Sequence, residues 1–203
     1  MNNKPEKSIK YCQVCLLHKE ICICEIIEKI SLQTRITLIL PQKELLRITN
    51  TGRLTSLCLT NHRIIEKKGT GTNYKPEEIR SDDYVNMILY PDAGQQLTKT
   101  FIEKLSKPVN LIVPDGTWRQ TRKIFRTEKI LHSITQVSLP KEDNDFNFVR
   151  KPQNDFYFST FEAVIRALRI IEDEEVYKKL KNVLNEMITG LLRNNIKSRT
   201  KRE

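Results

Sequence analysis

Four of the five cysteines stand within thirteen residues, as Cys12-x2-Cys15-x6-Cys22-x-Cys24. Four thiolates at that spacing can close a tetrahedron around zinc, with each sulfur about 2.3 Å from the ion, and a closed set of four thiolates makes a structural site. The CxxC half is a common zinc knuckle and the CxC half a less usual one. His18 lies inside the loop and could replace one thiolate. Redox-active thiols are the alternative reading. A disulfide framework belongs to small exported chains, whereas the opening MNNKPEKSIK is polar and lacks the apolar stretch of a secretory signal. A zinc site in a cytoplasmic protein is therefore expected. Cys58, between Leu57 and Leu59, reads as a buried core thiol.

Asp115-Gly116-Thr117-Trp118 follows directly on the apolar run VNLIVP. Ligands of open α/β sheets bind beyond the carboxyl ends of the strands, so a strand here delivers Asp115 to the crevice, where a carboxylate can act as a general base. Alternatively, Asp115 or Thr117 caps a helix that begins near Trp118. A cap alone does not require Trp118, whose ring needs packing or stacking. Along that helix Arg119, Arg122, Lys123, Arg126 and Lys129 are spaced i, i+3, i+4, i+7 and i+10, opposed locally only by Glu128. Solvated helix faces usually mix signs, and a face of one sign beside a candidate active site suits RNA phosphates. Ser159-Thr160-Phe161-Glu162 has the form of a capping box. The same helix start can also attract an anion such as a substrate carboxylate. Arg150-Lys151-Pro152 adds positive charge just upstream. Thr49-Asn50-Thr51-Gly52, followed by Arg53, is either a helix stop with a left-handed glycine or a polar loop facing a ligand.

These residues need a frame to hold them. Thr34–Leu40, Tyr84–Tyr90 and Val109–Val113 read as buried strands, each stopped by proline, and Ile134–Leu139 as a fourth. Helices are expected over residues 42–60 with a break at Thr49–Gly52, over Gln95–Leu105, over 118–131, and as two closing helices. In the last, Val176, Leu180, Val183, Leu184, Met187, Ile188, Leu191 and Leu192 recur at helical spacing. Residues 66–82 read as a surface loop, and 140–158 as a long connection with two prolines. Strands alternating with helices indicate an α/β fold with a mostly parallel sheet. The 203 residues fit one domain, or one domain with a small appended module. No stretch approaches the roughly 18–20 apolar residues of a membrane span. A net charge of +10 favours a polyanionic partner, RNA above all, although a compositional bias toward Lys, Asn and Ile would also raise it.

Taken together, these segments resemble the DTW-domain family, the tRNA-uridine aminocarboxypropyltransferases. The matching residues are Cys12, Cys15, Cys22 and Cys24, Arg47 with Thr49-Asn50-Thr51-Gly52-Arg53-Leu54, Tyr90-Pro91, Asp115-x-Thr117-Trp118, Arg150-Lys151-Pro152 and Ser159-Thr160-Phe161-Glu162-Ala163. The likeness runs over about residues 11–165. Pro41-Gln42 departs from it, standing where a His-Pro pair is expected. The resemblance implies a SPOUT-like α/β domain with a C-terminal knot over residues 32–195, a zinc module over 1–31 and a basic tail over 196–203. It further implies transfer of the 3-amino-3-carboxypropyl group of S-adenosylmethionine to uridine N3 in tRNA. Asp115 is then the base. Thr49, Asn50, Thr51, Gly52, Gly116, Thr117, Trp118, Ser159, Thr160 and Glu162 line the donor site with Asp115. Arg119, Arg122, Lys123, Arg126, Arg150 and Lys151 contact RNA. A cytoplasmic monomer is expected. The rival readings are an S-adenosylmethionine-dependent RNA methyltransferase and a zinc-containing RNA-binding protein without catalysis.

Overall fold

Five short strands form one sheet: β1 (Arg35–Pro41), β2 (His62–Lys67), β3 (Val85–Leu89), β4 (Val109–Pro114) and β5 (Thr135–Val137), with the most apolar runs in β1, β3 and β4. Their order is β2-β1-β4-β3-β5, and every neighbouring pair is parallel. The computed structural model describes residues 10–41, 44, 47, 50–67, 74–91, 93–116, 118–140 and 159–200, with Trp118 and residues 195–200 described by backbone alone. All six residues of β4 are buried, as a central parallel strand covered on both faces requires.

The two-residue period of the strands divides the core. Leu38 and Leu40 of β1 and Leu111 and Val113 of β4 enter one cluster, while Ile39 and Ile112 enter the other. The first cluster is covered by α1 (Arg53–Cys58), α5 (Thr160–Ile171) and α6 (Glu174–Thr200), through residues such as Leu54, Phe161 and Leu184. The second is covered by α2 (Pro76–Ile79) and α4 (Trp118–Thr127), through Ile79 and Ile124. A short α3 (Lys99–Ile102) packs against the first cluster. Asn110 ties the central strands together, accepting from Thr37 Oγ1 at 2.7 Å and donating to Asn86 Oδ1 at 2.8 Å.

The cysteine segment shares the domain's core. Cys15, Leu17 and Ile23 belong to the first cluster, and a Cβ on Gly190 of α6 would stand 3.0 Å from Ile21. Helix α6 continues to Thr200, into the segment read from sequence as a tail. No described helix is long and apolar enough to cross a membrane.

The sheet is as expected in class, and four of its strands lie within a residue or two of their expected places. β2 is a correction. His62–Lys67 carries a charge at Arg63, Glu66 and Lys67, because an edge strand is only half buried and needs no apolar run. Residues 66–82 are thus not all loop, since they include the end of β2 and the one-turn α2. The helix expected over Gln95–Leu105 is confined to Lys99–Ile102, where Thr98 accepts from the Phe101 amide. The one expected over 118–131 ends at Thr127 and gives way to a 3₁₀ turn at Lys129–Ser133. The knot depends on the path from β5 to α5, whose residues 141–158 lie outside the described residues.

Candidate functional site

β1 and β4 are neighbours, yet the chain leaves β1 toward α1 on one face and leaves β4 toward α4 on the other. Such a divergence opens a crevice at the carboxyl ends of two adjacent parallel strands, the place where open α/β sheets bind ligands. Asp115 stands in it. Its amide extends the ladder by donating to Ile39 O at 2.8 Å, so the backbone beneath the carboxylate is fixed by the sheet.

Two other segments converge on that carboxylate. Asn50 Nδ2 donates to Asp115 Oδ2 at 3.0 Å, and Thr160 Oγ1 donates to Oδ1. Asn50 is itself held by the Arg53 amide, which donates to its Oδ1 at 2.9 Å. Burial raises the Asp115 pKa above the usual carboxylate range. The Thr160 and Asn50 hydrogen bonds act against that shift, and the nearby Glu44 charge adds to it. The Gly116 amide adds a third hydrogen bond, and two carboxylate oxygens offer about four acceptor positions, so the group can still receive a ligand proton.

Gly52 is required by space rather than by a left-handed backbone. Its φ is −56°, and an added Cβ would lie 2.4 Å from Asp115 Oδ2. The left-handed-glycine reading of this turn is therefore wrong. Gly116 is the residue that needs glycine for conformation, with φ at +146°.

At the start of α5 the capping reading holds, with Ser159 Oγ accepting from the Glu162 amide at 3.3 Å. The Phe161 amide donates to Thr51 Oγ1 at 3.4 Å, which ties the Thr51–Gly52 loop to the helix. Glu162 is buried beneath the helix start, within the pull of the Ser159 amide, and its Oε1 lies 3.1 Å from Arg166 Nη2. Asn50, Thr51, Gly52, Asp115, Gly116, Ser159 and Thr160 are thus gathered at one place, with Glu162 just beneath. Thr49, Thr117 and the side chain of Trp118 lie outside the described residues, as do Arg150 and Lys151.

Glu44 was missed by the reading from sequence. It is buried beside Asp115, with Oε1 accepting from Gln120 Nε2 at 3.4 Å and paired with Arg47 at 3.3 Å. A charged residue in a stretch read as amphipathic helix carried no distinguishing signal.

The four cysteine sulfurs Cys12, Cys15, Cys22 and Cys24 all lie within 4.8 Å of one another, with Cys12–Cys24 at 3.5 Å and Cys15–Cys22 at 3.7 Å. A zinc tetrahedron with bonds of about 2.3 Å has sulfur–sulfur edges of about 3.8 Å, so the residues fit the ion. The Cys15 and Val14 amides hold the Cys12 thiol down at about 6, whereas burial and the neighbouring thiols push Cys24 up, since clustered thiolates cannot all ionise without a cation among them. His18 is not in the group. Its Nδ1 accepts from the Glu20 amide at 3.4 Å. Cys58 is buried apart from the cluster, and burial pushes its thiol up to about 12, as a core cysteine requires.

On α4, Arg119, Arg122, Lys123 and Arg126 are exposed, as is Lys129 just beyond it. Glu128 does not offset them at the surface, because it is buried and accepts from Lys67 Nζ at 2.8 Å.

The DTW domain model matches residues 9–192. A protein of Macaca fascicularis named tRNA-uridine aminocarboxypropyltransferase 2 is 24% identical over 177 residues, covering 83% of this chain and 59% of that one. Its namesake in Mus musculus is 26% identical over 167 residues, covering 79% and 56%. The chain thus spans less than two thirds of the length of these relatives. No solved structure matches.

Proposed function

Because the chain belongs to the DTW domain family, we propose that it modifies tRNA, transferring the 3-amino-3-carboxypropyl group of S-adenosylmethionine to N3 of a uridine. The observation that carries this reading is the meeting of three separate motif segments on one buried carboxylate, Asp115, at the switch point of the sheet.

In this reading Asp115 is the general base. A raised pKa narrows the gap to the weakly acidic N3–H and makes proton acceptance more favourable. Asp115 takes the N3 proton, and the freed electron pair forms the bond from N3 to the donor's Cγ. The Cγ–sulfur bond breaks with its electrons going to sulfur, which leaves as neutral methylthioadenosine. The sulfonium is a good leaving group, so the chain's main task is to place the nucleophile in line. Glu44 and Asp115 together put negative charge in the crevice, which suits a donor bearing both a sulfonium and an ammonium.

The start of α5 faces the same crevice and offers the donor carboxylate a partial positive charge. The cysteine cluster holds zinc as a structural ion. The basic face of α4 runs from the crevice as a phosphate track, and Arg150 and Lys151 are read as further RNA contacts by their charge. The reading includes a SPOUT-like knot and the division into a metal module (1–31), a catalytic domain (32–195) and a basic tail (196–203).

Mass spectrometry of tRNA nucleosides after incubation with protein and donor tests the reaction. The aminocarboxypropyl increment on uridine is expected. A methyl increment would make the protein a methyltransferase, and failure to bind donor in calorimetry would make it an RNA-binding protein. Asp115→Asn should keep tRNA binding and lower turnover by about 10²–10⁴, with partial recovery at higher pH as more N3 ionises unaided. Turnover near that of the wild type would remove Asp115 from the mechanism. Loss of donor affinity instead would make it a ligand-positioning residue.

A further inference from the structure

Arg53 joins the two centres described above. Its side chain is buried, with Nη2 donating to the backbone carbonyl of Cys15 and Nη1 donating to Arg47 O at 3.5 Å. Its own amide holds Asn50 Oδ1, and Asn50 Nδ2 holds Asp115. A continuous line of hydrogen bonds therefore runs from a cysteine of the cluster to the carboxylate in the crevice, across segments far apart in sequence.

The Cys15 carbonyl is not a passive end to that line. It sits in the knuckle closed by Leu16 N to Cys12 O at 3.0 Å and Cys12 N to Leu17 O at 2.8 Å, with Leu16 at φ 58°. A left-handed leucine is costly and persists only where its surroundings hold it. Four thiolates on one ion would supply that hold. Once they are released, the knuckle can relax and carry the Cys15 carbonyl with it. Hydrogen bonds weaken steeply with misalignment, so a small shift there frees the Arg53 guanidinium and loosens the Asn50–Gly52 turn packed on Asp115.

We propose that Arg53 is a positioning residue that couples the metal state of the cysteine cluster to the shape of the Asp115 crevice. The metal module is then part of how the crevice binds, beyond being a staple for a short segment. Coupling of this kind is reciprocal: if metal favours ligand in the crevice, ligand favours retention of metal.

The test uses the whole 203-residue chain loaded with metal, as wild type, Arg53→Lys and Asn50→Ala. Asn50→Ala cuts the line on the far side of Arg53 and leaves its grip on Cys15 intact. The first readout needs no ligand. Removing the metal from the wild type with a chelator should speed hydrogen exchange at the Arg53 and Phe161 amides, which are bonded to Asn50 and Thr51. In Arg53→Lys those amides should exchange fast with metal still bound, and chelation should add little. The second readout rests on the proposed function. S-adenosylmethionine should slow transfer of metal to a chromogenic chelator by roughly fivefold or more in the wild type, and by much less in either variant. Fast exchange on chelation with no donor effect in the wild type would keep the coupling and overturn the donor assignment. Unchanged protection of both amides after chelation, or an Arg53→Lys protein that responds to metal like the wild type, would overturn the coupling itself.

Discussion

Asp115 and Glu162 are carboxyls placed where water hardly reaches, 5% and 0% exposed, and their partners differ in kind. Asp115 is met by a neutral amide and a hydroxyl, Glu162 by the Arg166 guanidinium. Burial still raises Glu162, to about 7, against the pull of Arg166 and the Ser159 amide. Its folded pKa thus lies above the ordinary value of 4.5, so the folded chain holds a proton that the unfolded chain has released. Stability should therefore fall as the pH rises through that interval, and the raised Asp115 contributes in the same direction. Thermal unfolding followed from about pH 5 to about pH 8 should show the decline, and Glu162→Gln should flatten it. Gln has the shape of the protonated carboxyl, so the slope rather than the absolute stability is the informative quantity. An unchanged slope would mean that Arg166 keeps Glu162 ionised across the range.

The informative elements are the two helices that leave the crevice in opposite directions. α5 begins with its amides already engaged by Thr51 and Ser159, so it serves first to lock the loops around Asp115. α4 turns Thr121 and Ile124 inward, as does Glu128 just past its end, and leaves Arg119, Arg122, Lys123 and Arg126 exposed. Each phosphate contact releases condensed counterions and steepens the salt dependence of binding. Arg122→Glu with Arg126→Glu should therefore weaken tRNA binding and reduce the salt slope by about 2, leaving donor affinity near that of the wild type. An equal salt slope in filter-binding titrations would return this face to a solvated surface.

For the whole molecule, the cysteine segment and the helices covering the sheet share one apolar cluster, with Cys15, Leu17 and Ile23 among its members. Loss of the metal should therefore be felt beyond the first thirty residues. Protein purified without chelator should carry about one zinc per chain, held by Cys12, Cys15, Cys22 and Cys24. Cys12→Ser should release it and lower the unfolding temperature of the whole domain, because folding and metal binding are linked wherever the site forms only in the native state. Metal analysis finding no zinc in the wild type would end this assignment.

The signals legible in the sequence were local ones. β1, β3 and β4 declared themselves by short, largely apolar runs, the cysteines by their spacing, α6 by its 3.6-residue period, and the basic face of α4 by charge at helical intervals. Each depends on residues a few places apart, where backbone geometry alone decides what shares a face. The edge strand β2 escaped because half-exposed pairing imposes no apolar pattern, and Glu44 because nothing local marks a carboxylate that will be buried. The tertiary structure decided the rest. Asn50 and Asp115 are 65 residues apart, and Asp115 and Thr160 are 45 apart. Gly52 looked like a turn residue until the sheet order set it against a carboxylate. Glu128 looked like a counterweight to its own helix until β2 brought Lys67 to it. Which loops meet at the end of a parallel sheet follows from strand order and crossover side. Those are settled by how the apolar faces pack together, not by the sequence of any one segment.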